Sequence, residues 1–159
     1  MIEIVRVAFD DPEALPLVAQ QVQDQAARRG ITPWPIGNPD EYVAPVGGFL
    51  LARIDGVAVG CGGLRRMRHD PSVGEVKRLW TAPHARRQGV AQALLDELEG
   101  PLASELGFAE LILSTAEVSH EAIALYTARG WEPIENDPAF GFWKRALVYR
   151  RTPRPFSLD

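Results

Sequence analysis

Two arginines and a glycine, Arg86, Arg87 and Gly89, stand directly ahead of an apolar run that opens at Val90. That spacing suits an anion, because the first main-chain N–H groups of a helix have no intrahelical acceptor and the helix dipole favours negative charge there. Guanidinium groups beside such a turn add charge-assisted hydrogen bonds to phosphate. The competing reading is a solvated, arginine-rich helix start. Two phosphate-binding patterns are excluded by residue type: the nucleoside-triphosphate loop needs a lysine after its second glycine, and the dinucleotide fingerprint needs three glycines where only Gly89 is present.

The turn must be held by the elements on either side of it. Before it, E-V-K-R-L-W-T-A (75–82) carries Val76, Leu79 and Trp80 and reads as a strand stopped by Pro83. After it, Val90, Leu94, Leu98, Leu102 and Leu106 recur every fourth residue, which predicts one buried helical face. Gly100-Pro101 predicts a bend in that helix, since Pro101 has no N–H to donate to the carbonyl of Glu97. Further out, I-E-I-V-R-V-A-F reads as a first strand and Leu15, Val18, Val22 and Ala26 as a helix stopping at Gly30. Prolines at 33, 35, 39 and 45 leave a long loop with room for a helical turn around Asp40 to Val43. Asp55-Gly56, between two β-rich runs, predicts a tight hairpin. Then come a strand over F-A-E-L-I-L-S-T and a helix over S-H-E-A-I-A-L-Y-T-A-R-G, with Ser119 placed as cap and Gly130 past its end. W-E-P-I-E and F-G-F-W-K-R-A-L-V-Y-R read as two closing strands. This order predicts an α/β fold with a mixed, mostly antiparallel central sheet flanked by helices, in one domain over residues 1–150 with a loose tail over 151–159.

The pattern R-x-x-G-x-A, Arg86 to Ala91, resembles the [QR]-x-x-G-x-[GA] hallmark of the GNAT superfamily of acetyl-CoA-dependent N-acyltransferases. The downstream run S-H-E-A-I-A-L-Y-T-A-R-G-W is similar to that family's N-x-x-A-x-x-[LF]-Y-x-x-x-G-[FW] helix, with Ser119 where Asn is usual. The resemblance spans roughly residues 47 to 145. It implies the GNAT fold, acetyl-CoA (coenzyme A) as cofactor, and transfer of an acetyl group to a primary amine. It places Leu79, Trp80 and Thr81 along the pantetheine arm, and Arg86, Arg87, Gln88, Gly89, Val90, Ala91 and Gln92 around the pyrophosphate. Ser119 either reaches the cofactor or only caps its helix. An alkylammonium is almost wholly protonated at neutral pH, so amine attack on a thioester needs a base. Glu75, eleven positions before Arg86, matches the family's strand glutamate in that role; the alternative is an ion pair with Lys77 on the same strand face. Tyr126 matches the family tyrosine that protonates the departing thiolate and meets the cofactor, its alternative being a core tyrosine. A main-chain N–H near Trp80 would polarise the thioester carbonyl.

Composition narrows the partners. A net charge of −4 argues against nucleic acid. Up to Gly60 there are eight acids against four arginines, so the anion-seeking charge lies beyond it. One cysteine excludes an intrachain disulfide, and three scattered histidines give no metal site. Cys61 reads as a small buried hydrophobe rather than a reactive thiol. Neither a secretory leader nor a membrane-length apolar run is seen, so a cytoplasmic protein with no membrane partner is expected. Arg65, Arg66 and Arg68 read as solvated charges, the alternative being the cofactor's 3′-phosphate. The resemblance implies that the loop after the first helix lines the acceptor pocket, with Trp34 and Tyr42 as walls and Asp40 or Glu41 as partners for a cationic amine, the alternative being that these residues pack the loop; a small-molecule or a peptide amine is left as acceptor. A homodimer is compatible with all of this. A catalytically silent acyl-CoA-binding module and transfer of a longer acyl group are the alternative functions.

Overall fold

The computed structural model describes residues 1–155. Seven strands form one sheet in the order β1-β2-β3-β4-β5-β7-β6: β1 Ile2–Val7, β2 Gly47–Ile54, β3 Val57–Arg66, β4 Val73–Thr81, β5 Glu110–Thr115, β6 Glu132–Ile134 and β7 Leu147–Arg151. Every neighbouring pair is antiparallel except β4 and β5, so the α/β sheet is mixed and mostly antiparallel, as the order of elements predicts. Helices α1 (Ala14–Arg29), α2 (Val90–Glu97), α3 (Ala103–Leu106) and α4 (His120–Ala128) cover its two faces. Successive side chains of a strand point to opposite faces, which divides the core in two. Leu51, Cys61 and Trp80 pack under α1 with Phe9, Tyr42 and Phe49, whereas Leu50, Leu64 and Val76 pack under α2 with Leu94 and Leu98.

Local chemistry accounts for the joints. Asp55 (φ 49°) and Gly56 (φ 82°) take the left-handed angles of a two-residue hairpin between β2 and β3. Around Pro101 the helix does not break: residues Leu98–Leu102 widen into a single π-helical turn between α2 and α3, which absorbs the missing N–H and keeps the leucine stripe buried. One expectation is corrected at the end of the chain. The last strand is Leu147–Arg151 alone, because Gly141 ends a short 3-10 turn at φ 73° and Trp143 to Ala146 form a further turn, bonded to Asn136. Of the expected loose tail, Arg151 belongs to β7 and Arg154 is hydrogen-bonded to Glu99, whereas residues 156–159 lie outside those described.

The parallel pair matters most for function. β4 meets β5 only at Val73, Gly74 and Glu75, opposite Glu110, Leu111 and Ile112. From Val76 to Thr81 the same edge of β4 has no strand partner among the described residues, so main-chain donors and acceptors are left open in the middle of a sheet. This splayed edge leads straight into the glycine turn.

Candidate active site

A 3-10 turn over Pro83–Ala85 follows β4, and α2 begins at Val90 behind Gly89. Gly89 sits at φ 86° and Arg87 at φ 63°, so left-handed residues alternate along the turn and swing its amides to one side. The first helical bond is the Ala93 N–H to the Gly89 carbonyl, and no side chain caps the helix. The amides of Val90, Ala91 and Gln92 therefore lack intrahelical acceptors. Arg87, Gln88 and Gly89 are exposed and Val90 is buried, which puts the amide cluster at the surface over a fixed helix. Arg86 folds back, its Nε donating to the Thr81 carbonyl at 3.0 Å and its guanidinium lying over the Trp80 ring. Gln92 accepts from Arg129 at 2.8 Å and Gln88 reaches the His84 carbonyl at 3.4 Å, so both side chains are already engaged.

Upstream, β4 carries an irregularity with chemical consequences. Cys61 faces Trp80 and Gly63 faces Lys77, so Gly62 stands opposite two residues, Arg78 and Leu79. This is a β-bulge, and Arg78 takes φ 61° to make it. The bulge resets the alternation: Val76 and Leu79 both join the α2 side, while Arg78 reaches Gln21 of α1 at 3.4 Å and Trp80 joins the α1 core. Charged side chains thereby gather under α1. Glu75, only 2% exposed, accepts from Arg65 Nε at 2.9 Å and lies 4.0 Å from Lys77 Nζ. Arg65 also pairs with Glu41. Burial pushes the Lys77 ammonium below the usual lysine range, against the pull of Glu75.

The fold decides between several of the alternatives here. Glu41 is committed to Arg65, so it does not stand free for a cationic amine. Tyr42 is 4% exposed and stacks on Phe9 with ring centroids 4.7 Å apart, making it core rather than pocket wall. Asp40 is exposed in its 3-10 turn, and Trp34 lies against Arg29, which it shares with Trp143. Arg65 and Arg66 are not solvated charges: one holds two carboxylates, while the other donates to the Pro45 carbonyl and covers the Phe108 ring. Arg68 is exposed. Cys61 is fully buried, its thiol pushed up to about 12 by burial and donating to the Arg78 carbonyl, as a small core residue would.

Tyr126 lies in α4 on the other face, 8% exposed, with its ring 6.0 Å from that of Trp131. Burial, reinforced by the charge of Glu99, holds its hydroxyl protonated well above the ordinary tyrosine range. Ser119 occupies the cap position of α4, but its side chain makes no capping bond. A cavity of about 290 Å³ lined by Arg6, Gly48 and Glu105 lies at the opposite end of β2 from the glycine turn and takes no part in this arrangement.

The family model for the acetyltransferase (GNAT) family matches residues 16–131, which is most of the chain. This protein belongs to the GNAT acetyltransferase family. An IAA acetyltransferase from Azospirillum brasilense is 33% identical over 105 residues, covering 62% of this chain and 67% of that relative. Among solved structures, a GNAT-family acetyltransferase from Staphylococcus aureus Mu50 superposes with a TM-score of 0.77 at 20% identity, covering 97% of this chain and all of that one (100%). PaiA N-acetyltransferase from Thermoplasma acidophilum, solved in complex with coenzyme A, gives a TM-score of 0.70 at 19% identity over 96% of this chain and 99% of that one.

Acetyl-CoA is the acyl donor of the GNAT family, and the residues present suit it. The surface cluster of free amides at Gly89 to Gln92 fits a pyrophosphate. The unpaired edge of β4 from Val76 onward can form a ladder with amides, as an added strand would. Of the residues expected along the arm, Leu79 is half-buried against the α2 core, Trp80 is buried, and the Thr81 carbonyl already accepts from Arg86. The bulge, the buried cluster under α1 and the splayed edge are the features that sequence reading missed. One trace of the bulge exists in the sequence: alternation fails at Lys77-Arg78, two adjacent charges inside a strand.

Proposed function

We propose that this acetyltransferase moves an acetyl group directly from acetyl-CoA to the nitrogen of a primary amine, within a single domain over residues 1–150. The observation that carries this reading is the continuity of the open β4 edge with the free amides behind Gly89, a track with a neutral hydrogen-bonding half and an anion-binding half. The donor brings a thioester, whose acyl carbon is open to attack and whose thiolate is a competent leaving group. Glu75, oriented by the bond it accepts from Arg65, takes the proton that the amine must lose, directly or through one water. Tyr126, held protonated by burial, gives its proton to the departing sulfur. A main-chain N–H near Trp80 polarises the acyl carbonyl. Ser119, whose hydroxyl makes no capping bond, is available to the cofactor arm.

The test is thiol release over a panel of amines, peptide N-termini included. Turnover on one class supports transfer, while cofactor binding with no turnover on any amine would make the chain a silent acyl-CoA-binding module. Competition between acetyl-, propionyl- and succinyl-CoA reads the acyl preference. If Tyr126 is the acid, Tyr126→Phe lowers kcat by about 100-fold with cofactor affinity nearly unchanged, measured by steady-state kinetics and calorimetry. Full activity in that variant would reduce Tyr126 to packing against Trp131. For Glu75→Gln the loss in kcat/KM shrinks as pH rises, because more of the amine is then unprotonated without help. A loss independent of pH would leave Glu75 only as a partner of Arg65.

A further inference from the structure

Resting on the transfer reading above, we infer that the acceptor is a small amine that also carries a carboxylate, and that Arg78 and Lys77 hold the carboxylate while the amine faces Glu75. The observation behind this is a buried guanidinium without an anion. Arg78 is 6% exposed, yet among the described residues no carboxylate lies within 4.0 Å of it. Its Nη1 has one long contact, 3.4 Å to Gln21, and its Nε is buried with no partner at all. Burial and the neighbouring Arg65 both weigh against its charge, and only Tyr42 and Glu75 support it. A cation placed like this is costly unless something anionic completes it.

The charges around it agree. Arg65, Lys77 and Arg78 face Glu41 and Glu75, and Arg65 takes up both carboxylates, with Lys77 at the 4.0 Å limit from Glu75. Three cations against two anions leave one positive charge beneath α1, and Arg78 is the group without a share. From α1 only Gln21 meets the guanidinium; from the loop after it Gly37 lies over Nη2, where a Cβ would come within 3.6 Å, and the Tyr42 hydroxyl is a neutral hydrogen-bonding neighbour that supplies no anion. Trp80, next on this face, adds a second orphan, its buried indole Nε1.

The donor cannot supply the missing anion. Coenzyme A carries its charge on phosphates, and the anion-binding amides begin at Gly89, eleven residues after Arg78 and beyond the end of β4. The arm that would run along the open edge between them is built of neutral amides and a thioester. An anion at Arg78 must therefore arrive on the acceptor. Arg78 belongs to β4 at its bulge, with Glu75 three residues before it and Lys77, 4.0 Å from Glu75, between them in the chain, so amine and carboxylate of one small molecule can be met by one strand. A planar guanidinium suits a carboxylate in particular, since it can donate two parallel bonds.

The experiment is calorimetric binding to the intact protein with coenzyme A present, using amino acids as probes beside their amides, their methyl esters and spermidine. The free carboxylate is expected to bind about 10- to 100-fold more tightly than its amide or ester, the worth of a charged hydrogen bond. Arg78→Gln should erase that preference and leave coenzyme A affinity unchanged, Arg78→Lys should restore part of it, and Lys77→Gln, at a half-exposed site, should weaken it even if the Arg78 variants fail to fold. Equal affinity for acid and amide in the wild type, tighter binding of spermidine, or a preference that survives Arg78→Gln would each overturn the assignment, as would a requirement for a peptide. Binding that discriminates in this way without any thiol release would instead defeat the transfer reading and leave the carboxylate site standing.

Discussion

Gly89→Val is expected to weaken coenzyme A binding by at least about 100-fold in calorimetry, the equivalent of losing one or two charged hydrogen bonds, while the fold survives. Gly89 holds φ 86°, a left-handed angle that costs a residue with a side chain about 1–2 kcal/mol and a β-branched one more. Space is not the obstacle, because a Cβ there would meet nothing nearer than Ile2 Cδ1 at 3.9 Å. The strain instead drives the turn towards ordinary angles, and that rotation carries the amides of Gly89 and Val90 away from the direction they share with Ala91 and Gln92. Gly89→Ala separates the two effects, since it adds the Cβ without the branch and should lose much less affinity. Unchanged affinity in Gly89→Val would remove the glycine turn as the phosphate site, and with it the donor track along β4.

How far this site could be read from sequence depends on the range of the forces that make it. Turn chemistry is local, so Gly89, the Asp55-Gly56 hairpin and an irregularity at Pro101 are all legible, though the chain answers the last with a π-helical turn rather than the expected kink or split. Strand pairing is less so: F-G-F-W-K-R-A-L-V-Y-R has the composition of a strand, but only Leu147–Arg151 finds an edge to pair with. Charge partners are legible only along one strand face, as for Glu75 and Lys77 at 4.0 Å, and not across the fold. Glu41 and Tyr42 sit in a polar loop that suggests a pocket wall, and only the folded chain shows that Arg65, 24 residues from Glu41, claims the one and that Phe9 and Phe49 claim the other. The same holds for Glu75 and Arg78. Their positions on one strand are plain, whereas their different surroundings, one carboxylate satisfied by Arg65 and one guanidinium unsatisfied, follow from a bulge that shifts register by a single residue.

Removing the carboxylate of Glu99 should be as damaging to stability as truncating a large core side chain. Glu99, directly before Gly100-Pro101, is fully buried on the π-helical turn. Arg129 donates to both of its oxygens, at 3.0 and 2.9 Å, Trp131 Nε1 donates at 2.9 Å, and Arg151 and Arg154 complete the shell at 3.1 and 2.7 Å. One side chain thus ties the α2–α3 joint to the end of α4, to β7 and to the chain after it. Glu99→Ala leaves this set of donors facing a void, and breaking a buried pair from one side costs about 3–5 kcal/mol, which for a domain of this size lowers Tm by roughly 6–20 °C. Burial alone would raise the carboxyl's pKa, but the bonds from Arg129, Arg154 and Trp131 outweigh it and hold the group below the ordinary glutamate range. A depressed folded-state value means that the stabilisation is complete above the unfolded value of about 4.3 and is lost as pH falls through the lower, folded one. Glu99→Gln therefore melts below wild type by a constant margin at neutral pH, and that margin closes on acidification below about pH 4. A Glu99→Ala protein that melts within 2 °C or so of wild type, less than about 1 kcal/mol, or a Gln variant whose deficit is the same at every pH, would show that the arginines are stable without their shared carboxylate and that other contacts fix α4, and Tyr126 with it, against the sheet.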